Sequence, residues 1–466
     1  MALPTPIGVQ KEVVALPARG HVVVLGTAGS GKTTMAVHRA AFLSNPRVPG
    51  HGPTLLLTFN KSLLRYLSYL VPPEMAARMT VENYHAFARG YLNSRGLMGG
   101  QNTIVRDDTA RTSYIAEAAA IVFTRDPGNP LRGESADFLA TEIAWLTQHG
   151  LDDRDQYRGA NPVGSHDARL NEEQRDGLFD IYEEYLNVRA AAGHHYDWDD
   201  IATAVRCALD QDTTPRRYKH VVLDEGQDFS PEMLRSLARA IPADGSLTFF
   251  GDAAQQIYGR RISWRDAGLT ISTPVYFRKN YRNTKEIADL GLAIAAMPYY
   301  ADEPDMVAPD EFRAAGPKPT LVRFDGEQDE TAFVVQQAGA AAAAGQSVAI
   351  LARRKADVSR FAAKLKSPQR LGGNMVWRPG AGVSCGTIHA AKGLEFETVF
   401  LPFVTEAHFP DPVLVTAVGS AEATAIDGRL LYVGVTRARQ SLILTAADGL
   451  TALLPKTPGL WVEPTR

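Results

Sequence analysis

The sequence predicts an α/β protein with two lobes, each built on a parallel sheet, and a helical insertion within the first lobe. Short strand-like runs are apolar on both faces and alternate with helical patterns, which is typical of parallel sheets covered on both sides. The runs form two groups along the chain, so we expect two lobes. The composition, 45% hydrophobic and 22% charged over 466 residues, excludes a disordered or fibrous protein.

The elements follow in order along the chain. The predicted strands are His21–Leu25, Thr54–Thr58, Val221–Asp224 and Leu247–Gly251 in the first group, and Thr320–Phe324, Ser347–Ala352, Val383–Thr387, Thr398–Leu401 and Leu442–Ala446 in the second. Between about 105 and 196 the pattern is helical, and its charge runs read as solvated helix faces. We therefore expect a first lobe over 1–104 and 197–277, an insertion over 105–196 and a second lobe over 278–466.

Charge and cysteine usage limit the class of protein. Lys and Arg total 49 against 52 Asp and Glu, so a nucleic acid would have to bind in a local groove and not through the overall field. Cys207 and Cys385 are far apart and lack metal-ligand spacing, so we expect reduced thiols. No signal peptide and no apolar run of membrane length is visible, so we expect a cytoplasmic protein with no membrane partner.

A phosphate-binding loop is predicted at residues 26–33, Gly-Thr-Ala-Gly-Ser-Gly-Lys-Thr, between an apolar strand and a helix beginning near Lys32. The glycines let the backbone bend around phosphate oxygens, and the helix directs free N–H groups at them. Lys32 is expected to reach the β- and γ-phosphates of ATP, and the Thr33 hydroxyl to coordinate Mg²⁺. The expected cradle comprises Gly29, Ser30, Gly31, Lys32, Thr33 and Thr34. The alternative is a glycine turn of purely structural origin.

An acidic pair ends another apolar strand downstream of this loop, at Asp224 and Glu225. Asp224 is placed to hold Mg²⁺, and Glu225 to polarise the water that attacks the γ-phosphate. An acidic pair is more often a solvated loop, but the strand before it and the phosphate loop upstream favour a nucleotide site.

Further strings, in order, resemble the UvrD/Rep/PcrA-like branch of superfamily 1 helicases over nearly the full length outside the helical insertion. They are Thr58-Phe59-Asn60-Lys61, Tyr84-His85-Ala86-Phe87, Asp224-Glu225-Gly226-Gln227-Asp228, Gly251 to Tyr258, Asn280-Tyr281-Arg282-Asn283-Thr284, Thr387 to Phe396, and Tyr432 to Ala438. Gly226 stands where this family usually has Ala, so the acidic motif departs slightly from the family pattern.

The resemblance implies two RecA-like lobes that bind one ATP between them. It assigns Gln10 to the adenine, Tyr281 to stacking on the adenine, Glu395 to the ribose and Gln255 to sensing the γ-phosphate. Arg282 and Arg437 belong to the second lobe, and arginines stabilise the charge that phosphoryl transfer spreads over several oxygens. If both reach the γ-phosphate, hydrolysis releases one lobe from the other. For either arginine alone, the alternative is a surface salt bridge.

The resemblance also implies a track for a single strand, held by stacking and backbone contacts. Its expected residues are Phe59, Asn60, Tyr84, His85, Tyr258, Arg261, Trp264, Thr387 and His389. The family usually has Gly-Trp-Arg after the tyrosine at position 258, whereas Trp264 is displaced here, so it substitutes from another angle or one platform is lost. Phe59 and Tyr258 have the alternative of being core aromatics.

A second insertion, large in this family between the motifs at Arg282 and Thr387, is expected to be absent because only about a hundred residues separate them. The resemblance leads us to expect an ATP-dependent helicase or translocase acting on single-stranded DNA or a tailed duplex, with the family's 3′-to-5′ polarity.

The alternative is a DNA-sensing ATPase switch that regulates a partner nuclease in anti-phage defence or repair, without processive unwinding. A small-molecule kinase leaves Arg282, Arg437 and Gln255 unexplained. DNA and RNA remain equal alternatives from the residues alone.

Overall fold

The computed structural model contains two six-stranded sheets in which every pairing is parallel. The structure describes residues 3–27, 29–71, 73–99, 103–160, 170–252, 264–271, 273–300, 311–312, 314–372 and 375–464. This confirms the predicted α/β class with two parallel-sheet lobes. No helix within these ranges is long and apolar enough to cross a membrane.

The first lobe carries the strand order β3-β2-β4-β5-β1-β6. Its strands are β1 (Gly20–Gly26), β2 (Thr54–Thr58), β3 (Met79–Asn83), β4 (His220–Leu223), β5 (Ser246–Gly251) and β6 (Val275–Phe277). Its helices are α1 (Val9–Val14), α2 (Lys32–Ser44), α3 (Lys61–Leu70), α4 (Tyr84–Ser94), α9 (Ile201–Gln211) and α10 (Pro231–Arg239). Separate apolar clusters cover the two faces of the sheet, as the two-faced apolar strands predicted.

The described part of the insertion, 105–160 and 170–196, contains four helices that pack around their own apolar cluster. They are α5 (Asp108–Arg125), α6 (Ala136–Gln148), α7 (Arg154–Gly159) and α8 (Glu172–Ala191). The chain enters and leaves this unit through a bridge between Ile104 and Tyr196, and the Val105 N–H donates to the Tyr196 carbonyl at 2.8 Å. Local signals fix the helix starts: Asn171, for example, caps α8 through a reciprocal hydrogen-bond pair with Gln174.

A buried ion cluster joins the insertion to the first lobe. The Asp197 carboxylate lies 3.2 Å from Arg111 and 3.4 Å from Arg189, and it accepts a hydrogen bond of 2.7 Å from the Tyr185 hydroxyl. Burial raises the pKa of Asp197, but the two arginines outweigh that effect and lower the pKa to about 2. Arg189 also pairs with Asp200. These contacts tie α5 and α8 to the segment that leads into α9.

The second lobe carries the strand order β11-β12-β10-β13-β14-β9, and a separate small sheet pairs β7 with β8. The strands are β7 (Lys279–Asn280), β8 (Glu311–Phe312), β9 (Thr320–Phe324), β10 (Ser347–Ala352), β11 (Gln369–Arg370), β12 (Gly382–Thr387), β13 (Phe396–Leu401) and β14 (Ala438–Ala447). The helices are α11 (Lys285–Ala295), α12 (Glu327–Ala343), α13 (Lys355–Lys364), α14 (Pro412–Val418) and α15 (Ser420–Thr436). Between Arg282 and Thr387, the described helices all pack on the second sheet, and we find no further helical unit in that described part.

Candidate nucleotide site and polynucleotide track

The predicted phosphate loop lies between the end of β1 at Gly26 and the start of α2 at Lys32. Gly29 and Gly31 have φ angles of 83° and 85°, a left-handed conformation that costs glycine little and other residues more. The Lys32 ammonium donates to the carbonyls of Gly26 at 2.6 Å and Thr27 at 2.8 Å. The lysine therefore folds back over the space that the loop encloses, and burial lowers its pKa.

Gln10 from α1 stabilises the phosphate loop through a hydrogen bond. Its side-chain amide donates to the Ser30 carbonyl at 3.1 Å, and the Ser30 hydroxyl donates to the Thr27 carbonyl at 2.9 Å. Thr33 is buried and Thr34 is half-buried in the first turn of α2. The structure thus brings together all the described residues that the sequence assigned to the cradle.

The acidic pair ends β4 directly beside this loop. Asp224 is 1% exposed, and within the described residues neither of its carboxylate oxygens makes a hydrogen bond. Burial and the adjacent Glu225 raise the pKa of Asp224 to about 7. A buried, unsatisfied carboxylate is costly, and carboxylate and hydroxyl oxygens are ligands that Mg²⁺ prefers. Asp224 and the nearby Thr33 therefore fit a magnesium site, in which the cation would offset the buried charge.

Glu225 is the point at which groups from both lobes converge. Its φ of 53° turns it away from the strand direction, and its carboxylate accepts a hydrogen bond of 2.5 Å from Gln227. Burial would raise the pKa of Glu225, but the cations of Lys392, Lys32 and Arg437 outweigh that effect and lower it. A carboxylate held ionised here is suited to orient and polarise a water molecule.

Arg437 is 1% exposed and projects from the end of α15 towards this site. Its guanidinium donates to the carbonyls of Val433 at 3.0 Å and Leu394 at 3.4 Å, and to the Thr436 hydroxyl at 3.1 Å. Burial and Arg282 lower the pKa of Arg437 to about 10, so it remains charged at neutral pH. The charge of Arg282 acts on Arg437, so the two guanidinium groups lie near each other in this site.

Arg282 lies against the phosphate loop. A side-chain Cβ at Gly29 would stand 2.7 Å from the Arg282 Cβ, and the Tyr281 N–H donates to the Gly29 carbonyl at 2.9 Å. The Arg282 guanidinium pairs with Glu395 at 2.6 Å, while its Nε makes no hydrogen bond within the described residues. The residues assigned to the γ-phosphate, adenine and ribose are thus adjacent, whereas Gln255 lies outside the described residues.

The sequence analysis missed two further residues of this site. Lys392 is fully buried and forms an ion pair across the lobes with Asp228, which follows the acidic pair. Asp252, at the end of β5, lies 3.6 Å from the Lys32 ammonium. Both belong to strings that the sequence analysis singled out, but nothing in the sequence pairs positions 164 residues apart.

A group of aromatic side chains lies on the first lobe at the predicted polynucleotide track. The His85 ring is 5.7 Å from Phe59 and 4.8 Å from Trp198, both edge to face. Phe59 also meets Phe229 at 6.3 Å. Burial lowers the pKa of His85 to about 4, so it is neutral at pH 7. Trp198 is half-buried and was not predicted, because none of the strings that carried the sequence analysis includes it.

The structure brings the second-lobe residues of the track to this group through Asn60. Its side-chain oxygen caps α3 by accepting from Ser62 at 2.7 Å, and its amide nitrogen donates to the His389 carbonyl at 2.8 Å. Thr387 ends β12, and its hydroxyl accepts from the Ala390 N–H at 3.2 Å. Asn60, which the sequence analysis predicted for the track, therefore caps α3 and joins the two lobes.

Two residues predicted for the track, Tyr84 and Trp264, pack against the first-lobe core in the structure. Tyr84 is 0% exposed, and its hydroxyl bonds the Ser236 hydroxyl at 2.7 Å, so this ring belongs to the core and has no face for a base. Trp264 packs edge to face on Phe249 of β5 at 4.9 Å, which places it against the first-lobe core with only part of its ring exposed. Tyr258 and Arg261 lie outside the described residues.

Comparison with known proteins gives matches over both lobes. The family profile described as the UvrD/REP helicase N-terminal domain matches residues 8–278, and that of the UvrD-like helicase C-terminal domain matches residues 380–449. The chain is 27% identical over 361 residues to the ATP-dependent DNA helicase UvrD1 of Mycobacterium tuberculosis, covering 72% of this chain but 44% of that relative. It is 23% identical to UvrD2 of the same species, covering 97% of this chain and 79% of UvrD2.

A further relative is a protein named probable DNA helicase from Mycoplasma pneumoniae, 22% identical, with 92% of this chain and 81% of that protein covered. Among solved structures, the C-terminal domain of a possible DNA helicase from a Lactobacillus matches 39% of this chain and 98% of that chain at 22% identity. Its TM-score of 0.30 is too low to bear on the arrangement of the lobes. The profile over residues 8–278 spans more than half of the 466 residues, and the chain therefore belongs to the UvrD/REP helicase family.

Proposed function

We propose that the chain is an ATP-dependent DNA helicase or translocase that moves along single-stranded DNA in the 3′-to-5′ direction. ATP with Mg²⁺ would bind between the lobes, with the cradle at Gly29–Thr34, the cation on Thr33 and Asp224, and the base between Gln10 and Tyr281. The observation that carries the proposal is the convergence of Lys32 from one lobe and Arg437 from the other on the Glu225 carboxylate.

The proposed chemistry uses groups that the site already positions. Glu225, held ionised by three surrounding cations, would orient the attacking water, and Arg282 and Arg437 would stabilise charge on the transferred phosphoryl group. Magnesium, when bound, neutralises charge on the phosphates. The terminal nitrogen of Arg282 pairs with Glu395, and its Nε, which makes no hydrogen bond within the described residues, would be available to a phosphate oxygen.

Movement along the strand would follow from this shared nucleotide. The track residues Phe59 and His85 belong to the first lobe and His389 to the second, and they lie on elements adjoining the acidic pair and Arg437. Closing and opening the lobes around ATP would then change the distance between two strand-binding sites, one on each lobe, that hold the same strand. We divide the chain into a first lobe (1–104 and 197–277), an insertion (105–196) and a second lobe (278–466). This proposed division gives each lobe one of the two strand-binding sites.

Between Arg282 and Thr387 the described helices all pack on the second sheet, and that described part holds no second helical unit. That observation favours a second candidate: a DNA-sensing ATPase switch that controls a nuclease or repair partner without unwinding on its own.

Strand displacement separates the two candidates. Duplexes with a 3′ tail, a 5′ tail or blunt ends would be offered with ATP and Mg²⁺, beside ATPase measurements with single-stranded DNA and RNA at one fixed salt concentration. Displacement of the 3′-tailed duplex alone supports the helicase. ATPase stimulation without displacement supports the switch, and displacement from the 5′ tail contradicts the polarity. Lys32→Ala is the control that should remove every activity.

A further inference from the structure

One stripe of side chains on helix α3 of the first lobe lies against the second lobe. Asn60, its cap, bonds the His389 carbonyl at 2.8 Å. One turn on, Leu63 fills the space beside Gly393, where a Cβ would stand 2.5 Å from the leucine Cδ2, and where φ is +79°. Positions three apart on a helix share a face, so the next residue in this stripe is Tyr66.

Tyr66 meets Trp377 of the second lobe, with ring centroids 5.0 Å apart at 64°. The tyrosine packs on the apolar core of each lobe, whereas Trp377 packs on the core of the second lobe. Trp377 comes from the segment between β11 and β12, on the edge of the second sheet. The contact is therefore an aromatic bridge between the lobes, formed by two residues that no motif of the sequence includes.

The bridge borders the nucleotide site. Tyr66 and Trp377 line a cavity of about 250 Å³ together with Glu395 and Arg439, and Glu395 is the partner of Arg282. Burial and the Glu395 charge raise the pKa of Tyr66 to about 12, which places its hydroxyl in the field of that carboxylate. A change in the distance between the lobes must therefore alter this contact, since its two halves come from different lobes.

We propose that Tyr66 and Trp377 form a clasp that favours the closed lobes, and that both act as positioning residues for ATP hydrolysis when no polynucleotide is bound. This rests on the proposed function, because closure matters only if Arg282 and Arg437 act on a nucleotide held by the first lobe. An aromatic pair of this geometry shifts an open–closed equilibrium by about two- to tenfold. A bound strand, which contacts both lobes, would supply the closure by itself and mask the clasp.

The test compares Trp377→Ala, Trp377→Phe, Tyr66→Ala and the double alanine variant. For each, kcat and KM for ATP are measured without DNA and with a saturating thymidine oligonucleotide, and the affinity for a non-hydrolysable ATP analogue is measured without DNA. Val376→Ala is the matched control, since Val376 adjoins Trp377 but is 77% exposed. Thermal unfolding of every variant reports on the fold.

The clasp predicts that Trp377→Ala lowers the DNA-free kcat and weakens analogue binding by about two- to tenfold, and that saturating DNA restores kcat to within about twofold of wild type. Trp377→Phe should keep most of the activity, and the double variant should lose no more than the larger single loss. The clasp would be overturned by an equal loss of kcat with and without DNA, or by no loss of kcat in either condition. Additive losses of kcat in the double variant would also overturn it. A wild type that DNA does not stimulate contradicts the proposed function instead, while analogue binding and the double variant still decide the clasp.

Discussion

Tyr84 and His85 are adjacent in the sequence but differ in what they can contact. The Tyr84 ring points into the first-lobe core and its hydroxyl bonds Ser236, whereas the His85 ring packs on Trp198 near the surface. A sequence string cannot separate the two, because burial depends on α10 and on the segment before α9, which are far along the chain. The family resemblance led to both being predicted at the track; the structure buries the tyrosine in the core and leaves the histidine beside Trp198.

Tyr84→Phe is expected to destabilise the fold without changing DNA binding. It removes one buried hydrogen bond, worth about 1 kcal/mol, and Ser236 keeps its bond to the Met233 carbonyl. Chemical unfolding should show that loss, and single-strand affinity at fixed salt should match wild type. A lower affinity for single-stranded DNA with an unchanged free energy of unfolding would show that Tyr84 does contact the strand.

Trp198→Ala is expected to have the opposite profile. The half-buried indole beside His85 is suited to stack on a base, and each such stack contributes about 1–3 kcal/mol. Single-strand affinity, measured by fluorescence anisotropy at constant salt, should therefore fall by about fivefold or more. Trp198→Phe should retain most of the affinity; unaltered binding in the alanine variant would show that the indole only packs.

At the level of elements, the strands with apolar runs on both faces were predicted with bounds close to those found, such as β2 and β10. Five strands were missed for a physical reason, and two of them, β7 and β8, have two residues each and form the small separate sheet. The edge strand β3 buries only Met79, β6 has three residues and β11 has two, so none carries a two-faced apolar run. Their pairing comes from neighbouring strands and not from their own pattern.

The buried ion cluster at the base of the insertion likewise could not be predicted from the local sequence. No local pattern gives the acids at 197, 199 and 200 a partner, and only the fold brings Arg111 and Arg189 to them. Removing one member leaves buried charge without its partner, which costs about 3–5 kcal/mol. Asp197→Ala should therefore lower the free energy of unfolding by that order.

Nucleotide binding should survive in Asp197→Ala, because the cluster lies outside the site described above. Denaturant unfolding and binding of a fluorescent ATP analogue, measured on the same preparation, check both halves of this expectation. A loss below about 1 kcal/mol would mean that the two arginines find other partners. Arg125→Ala is the matched control: it removes the ion pair of 3.4 Å between Arg125, which is 63% exposed, and Glu184, and it should change stability little.

At the scale of the whole molecule, the two lobes meet through contacts that the sequence could locate but not pair. The strings containing Lys32 and Asp224 were recognisable because a phosphate loop and an acidic pair each follow an apolar strand, and those containing Arg282 and Arg437 because they resemble motifs of the family. The bonds that join the lobes, Lys392 with Asp228, Asn60 with His389 and Tyr66 with Trp377, link positions far apart in the chain. They depend on how one lobe sits on the other, which no local pattern encodes.

The central claim is that one nucleotide is bound by both lobes, and Arg437→Ala tests it most directly. Analogue affinity and steady-state ATP hydrolysis with saturating single-stranded DNA would be measured side by side, with thermal unfolding as the check on the fold. The account predicts nearly unchanged binding and a fall in kcat on the order of 10³-fold, because the arginine would act on the transferred phosphoryl group. A variant that keeps its kcat, or that loses binding while hydrolysing normally at saturation, would contradict a shared nucleotide.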